Sequence, residues 1–62
     1  MDLAKARTDK GMTQQELAKA LGITRAAYTN IENGKRKPSV KIAKKLAVIL
    51  DLNWVAFFDD RS

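Results

Sequence analysis

Cysteine and histidine are both missing from this chain. Their absence excludes disulfide staples, thiolate zinc sites, cysteine nucleophiles and histidine acid–base chemistry. Small secreted domains normally rely on disulfides, so a reducing cytoplasm is the expected setting. No apolar run reaches the ~18 residues of a membrane-spanning helix, and no signal-peptide pattern opens the sequence. Stretches that alternate apolar and polar residues in β-branched company are lacking, so strands are not expected. Glycine and proline are scarce, three and one, and fall at what read as joints: Gly11, Gly22, Gly34 and Pro38. The adjacent carboxylates Asp59 and Asp60 make a poor metal site, and no metal, cofactor or small-molecule substrate is expected. Neither is catalysis.

What is present is a short globular composition. The 62 residues are 45% apolar and 31% charged, which fits one small domain over residues 1–62 with a thin core. Twelve Lys and Arg against seven Asp and Glu leave a net charge of +5. The charge is unevenly spread: residues 1–50 hold eleven basic and four acidic side chains, while residues 51–62 hold one basic and three acidic. From Asn33 to Leu50 there is no acid, yet Lys35, Arg36, Lys37, Lys41, Lys44 and Lys45 all lie there. Such a run is either a solvated helix face or a surface for a polyanion, since lysines set against phosphates release condensed counterions.

Capping signals divide the chain into five short helices. Leu3, Ala6 and Lys10 follow helical spacing up to Gly11. Thr13-Gln14-Gln15-Glu16 is a capping box, with Met12 and Leu17 placed as its hydrophobic staple. Leu17, Ala18 and Leu21 form the inward stripe of the second helix, which Gly22 ends. Thr24 then caps a third helix, with Ile23 and Tyr28 as staple and Ala27, Tyr28 and Ile31 facing inward. After Gly34, the basic loop leads to Pro38, and Ser39 caps a fourth helix over 40–50. Asn53 is placed to cap a fifth helix over 54–58, stapled by Leu52 and Phe57.

The second and third helices carry the functional signal. Their connection, Leu21-Gly22-Ile23-Thr24, is too tight for an ordinary hairpin of helices and fits a helix-turn-helix over about residues 13–33. That geometry leaves the third helix protruding toward a major groove ~12 Å wide. Its outer face carries Arg25, Ala26, Thr29, Asn30 and Asn33, with no acid among them. Arginine grips guanine O6 and N7, asparagine pairs with adenine N6 and N7, and alanine and threonine offer methyl groups to thymine.

Gln14-x-x-Leu17-Ala18-x-x-Leu21-Gly22-Ile23-Thr24, then Ile31-Glu32-Asn33-Gly34-Lys35 and Pro38-Ser39, resembles the phage-repressor helix-turn-helix family, the Cro and lambda-repressor-like or XRE-type class. The resemblance runs from about Leu3 to Phe58. It implies an all-α, five-helix DNA-binding domain that regulates transcription, usually as a repressor and as a homodimer on a partly palindromic double-stranded operator. Such a protein works in a bacterial or phage-type cytoplasm at the nucleoid. By this similarity Arg25, Ala26, Thr29 and Asn30 contact bases, and Gln14, Thr24, Asn33, Lys35 and Arg36 hold phosphates. The similarity also implies an ion pair between Arg7 and Glu32 beneath the turn.

Several positions depart from the family pattern. Ala26 replaces a longer polar reader, and Asp51 stands where glycine often follows the fourth helix. Val48, Val55 and Ala56 are apolar where relatives are usually polar. With Phe58 they are the candidates for a dimer interface. Val48, Val55 and Phe58 would also serve a rival role, in which an antitoxin-type module uses this fold to bind another protein. No membrane partner is expected, because the basic loop is not part of one continuous amphipathic helix.

Overall fold

The computed structural model describes residues 2–53, and within them the chain folds as four helices with no strand. They are α1 (Leu3–Asp9), α2 (Gln14–Leu21), α3 (Arg25–Glu32) and α4 (Val40–Leu50). The fifth helix expected over 54–58 lies outside the described residues, as do Val55, Ala56 and Phe58 of the expected dimer contact.

Each helix begins on a side chain that accepts a hydrogen bond from an otherwise unpaired first-turn amide. Asp2 receives Lys5 N–H, Thr13 receives Glu16 N–H, Thr24 receives Ala27 N–H and Ser39 receives Ile42 N–H, all at 3.0–3.2 Å. At Thr13 the bond is reciprocal, because Glu16 accepts from the Thr13 amide at 2.8 Å and completes the capping box. The Thr13 amide, and after it the Thr13 hydroxyl, hold the Glu16 carboxyl below its ordinary pKa, against a smaller opposing effect of burial.

The helix ends share one device. The amide two residues beyond each last turn reaches back across it: Met12 to the Arg7 carbonyl, Ile23 to Ala18, Lys35 to Asn30 and Leu52 to Ala47, at 2.9–3.2 Å. This is the Schellman closure, which requires a left-handed residue just before the reaching amide. Glycine fills that place after three helices, and Asp51, at φ 56°, fills it after α4. Met12, Ile23 and Leu52 are apolar and pack against the core. Lys35 is exposed, so only the end of α3 turns a charge outward instead of a plug inward.

Leu3, Leu17, Ala18, Leu21, Tyr28, Leu46 and Leu50 form the buried cluster, and Ala43 is buried beside it. Complete burial of a leucine or tyrosine side chain contributes roughly 1.5–3 kcal/mol, so these few residues supply most of the apolar stabilisation. α3 sinks less of itself than its pattern suggests: Tyr28 is buried, but Ala27 and Ile31 are half-buried. Both line a shallow groove with Ile23, Pro38 and Ile42, formed where the loop after α3 turns back along α4.

Candidate nucleic-acid interface

The turn between α2 and α3 starts from one glycine. Gly22 sits at φ 76°, a conformation in which a side chain would be strained, and it lets Ile23 fold back beneath the turn. Ala18 is buried within the core cluster, and among the described helices α2 and α3 pack most extensively on each other. Held this way, α3 presents Arg25, Ala26, Asn30 and Asn33 to solvent, with Thr29 half-buried between them.

Under this face lies a polar cluster centred on Glu32. Arg7 Nε donates to Glu32 Oε1 at 2.8 Å, and Tyr28 Oη donates to the same oxygen at 3.0 Å. Gln14 Nε2 donates to Glu32 Oε2. Arg7 Nη1 also donates to the Met12 carbonyl at 2.6 Å, fixing the end of α1 to the start of α2. The side chains of Arg7 and Glu32 are 14% and 7% exposed, so solvent screens this pair far less than the surface pair of Lys5 and Asp9. Burial alone pushes the Glu32 carboxyl up, but its bonds from Arg7, Gln14 and Tyr28 outweigh that and hold it below the ordinary value. Burial, with the bond to Glu32, drives the Tyr28 hydroxyl well above its usual range. Glu32 also raises the already high Arg7 pKa. Three elements therefore converge on one ionised carboxylate.

Gln14 is tied into the cluster from the start of α2. Its side-chain amide turns inward to Glu32, and Thr29 Oγ1 approaches its carbonyl oxygen at 3.4 Å. The Gln14 side-chain amide is thus engaged within the fold. Thr24 is exposed, and its hydroxyl oxygen is occupied as the α3 cap, which leaves its proton to donate. Tyr28 and the inward turn of Gln14 were not foreseen as parts of the cluster. The four-residue spacing of Tyr28 and Glu32 on one helix is the signal that was available for the first.

The basic loop is fastened to α3. Lys35 N–H and Arg36 N–H both donate to the Asn30 carbonyl, at 2.9 and 3.2 Å. Lys35 and Arg36 are thus carried as exposed cations at the end of the helix whose start carries Arg25. On the other side, Arg7, Thr13, Gln14, Gln15 and Arg25 line an open groove between α1, the start of α2 and the start of α3. Cations border the α3 face at both ends, and its one acid, Glu32, is consumed inside. The cations at its two ends would attract a polyanion.

The helix-turn-helix family profile matches residues 3–57. The chain belongs to that family. Within the helix-turn-helix family it is 55% identical over 58 residues to the HTH-type transcriptional regulator YqaF of Bacillus subtilis (strain 168), covering 94% of this chain and 76% of that one. It is 47% identical over 51 residues to the SPbeta prophage-derived HTH-type transcriptional regulator YonR of the same organism, covering 82% of this chain and 47% of YonR. It is also 40% identical over 47 residues to the ImmF control region 10 kDa protein of Bacillus phage phi105, covering 76% of this chain and 52% of that protein. The chain thus spans about half the length of the last two relatives. Among solved structures, the N-terminal DNA-binding domain of SinR from Bacillus subtilis superposes with a TM-score of 0.77 at 25% identity, covering 95% of this chain and 87% of that domain. For a helix-turn-helix protein, α2 and α3 are the motif, and the groove and basic loop described above flank its second helix.

Proposed function

We propose that this chain is a double-stranded DNA-binding transcriptional regulator, acting as a repressor, which reads the major groove with α3. The observation that carries this is the outer face of α3: Arg25, Ala26 and Asn30 are exposed, free of acid, and bracketed by Arg25 itself and the loop cations Lys35 and Arg36. Arg25, Ala26, Thr29 and Asn30 contact bases. Gln14, Thr24, Asn33, Lys35 and Arg36 hold phosphates, which supply most of the affinity. The protein acts by binding rather than catalysis, as one domain over residues 1–62, at the nucleoid in the cytoplasm.

One recognition helix covers only a few base pairs, so a selective site needs two copies about one helical turn apart. We assign the working species as a homodimer on a partly palindromic operator, joined through Val48 with Val55, Ala56 and Phe58. Val48 is 84% exposed, unusual for a large apolar side chain, and it supports a covering partner. The same exposure favours the second reading, an antitoxin-type module that binds a different protein. Selection of bound sequences from random duplexes separates the two. A palindromic motif with fixed half-site spacing is expected, and sequences without any common motif would overturn the DNA reading.

A further inference from the structure

We propose that Gln14 Oε1 and Thr29 Oγ1 form a paired acceptor for an exocyclic amino group in the major groove, N6 of adenine or N4 of cytosine, and that Glu32 is the positioning residue that sets the polarity of the pair. The proposal rests on the DNA-binding function argued above and adds a specificity element to it.

The polarity follows from hydrogen-bond inventory. An ionised carboxylate accepts and cannot donate. Glu32 Oε2 faces the Gln14 amide, so Gln14 must turn its NH2 group to Glu32 and its carbonyl oxygen away. In most glutamines the two orientations are hard to tell apart, but here the neighbouring carboxylate decides. Gln14 Oε1 then lies 3.4 Å from Thr29 Oγ1. Threonine has a single hydroxyl proton, and the Arg25 carbonyl stands closer to it, at 2.9 Å. The shorter contact takes the proton, a bond that threonine commonly makes to the preceding helical turn. Two oxygens with lone pairs are left side by side.

Both residues are half-buried, and Gln14 lines the same open groove as Arg25. An adenine or cytosine amino group keeps one hydrogen that base pairing does not use, and it points into the major groove. That hydrogen fits between two acceptors as a three-centre bond. Guanine O6 and thymine O4 are acceptors themselves and would meet the pair with repulsion. Thr29 thus reads a base through its oxygen, in addition to the methyl contact expected from its residue type.

The test uses the preferred site obtained from random duplexes. Each adenine in turn is replaced by purine, and each cytosine by 2-pyrimidinone, which delete only the amine; each thymine is replaced by uracil. Affinities are measured for the wild type, Thr29→Val, Thr29→Ser and Gln14→Leu, with thermal melts to establish folding. At one position the wild type should lose roughly tenfold on amine deletion. That loss should shrink several-fold for Thr29→Val and Gln14→Leu, and should return for Thr29→Ser. The substituted base tells adenine from cytosine. A wild type with no amine-sensitive position, or a Thr29→Val variant with an undiminished loss, overturns the pair while leaving DNA recognition intact. So does sensitivity at Thr29 only to the thymine methyl. Failure to select any preferred site would overturn the DNA reading itself.

Discussion

Glu32 is the residue on which most of the fold's polar organisation depends. It accepts from α1 through Arg7, from α2 through Gln14 and from its own helix through Tyr28. Removing it takes the acceptor from three donors at once, whereas removing Arg7 takes one donor from Glu32, which keeps two others, and one from the Met12 carbonyl. Breaking a partly buried pair from one side costs up to ~3–5 kcal/mol, a large part of the stability of a small domain. In urea melts, Glu32→Ala should therefore destabilise more than Arg7→Ala, and the double variant should fall short of their sum by about 1 kcal/mol or more. Additive losses would contradict the coupling. The acid limb offers a second check on the same group. The Glu32 carboxyl is held below its ordinary value of 4.5 in the folded chain, so its contribution is complete above that pH and disappears as pH falls through the lower folded value. Glu32→Gln should flatten the loss of stability below about pH 4.5. An unchanged acid limb would show that Glu32 is not held ionised by the fold.

At the scale of elements, the helix boundaries were legible because they rest on local chemistry. Thr13 with Glu16, Thr24 and Ser39 are caps whose side chains act within three residues, and each appears in the structure where its type and spacing place it. The tight turn was legible for the same reason, through Gly22 and the small Ala18. Less legible were features made between elements. Ala27 and Ile31 carry an apolar pattern, but the depth to which α3 sinks is set by how the loop and α4 pass over it, which no periodicity records. The inward turn of Gln14 depends on Glu32, eighteen residues away, so its residue type alone could not reveal it. The end of α4 illustrates a local departure that was legible: Asp51 occupies a left-handed position at φ 56°. Non-glycine residues there carry strain of ~1 kcal/mol, reduced for aspartate. Asp51→Gly should raise the thermal midpoint by a few degrees, equivalent to about 0.5–1 kcal/mol, without changing helix content. A lowered midpoint would mean that the Asp51 side chain stabilises this terminus by more than its backbone strain costs.

At the scale of the whole molecule, the charge distribution and the helix-turn-helix act together. The acid-free stretch from Asn33 to Leu50 begins at the end of α3, and Lys35 and Arg36 are tied there through the Asn30 carbonyl. Arg25 stands at the opposite end, beside the groove lined by Arg7 and Gln14. Under the proposed function the cations have two different tasks: Arg25 is to read bases, and the loop is to hold the phosphate backbone. Binding by fluorescence anisotropy, on the selected site and on random duplex across a range of salt, separates those tasks in one measurement. Arg25→Ala should lose ~1–3 kcal/mol on the selected site and little on random duplex. Lys35→Ala should weaken both DNAs alike and reduce the salt slope by about one unit. Equal losses on both DNAs for Arg25→Ala would contradict the account, because the start of α3 would then be holding backbone and not reading sequence.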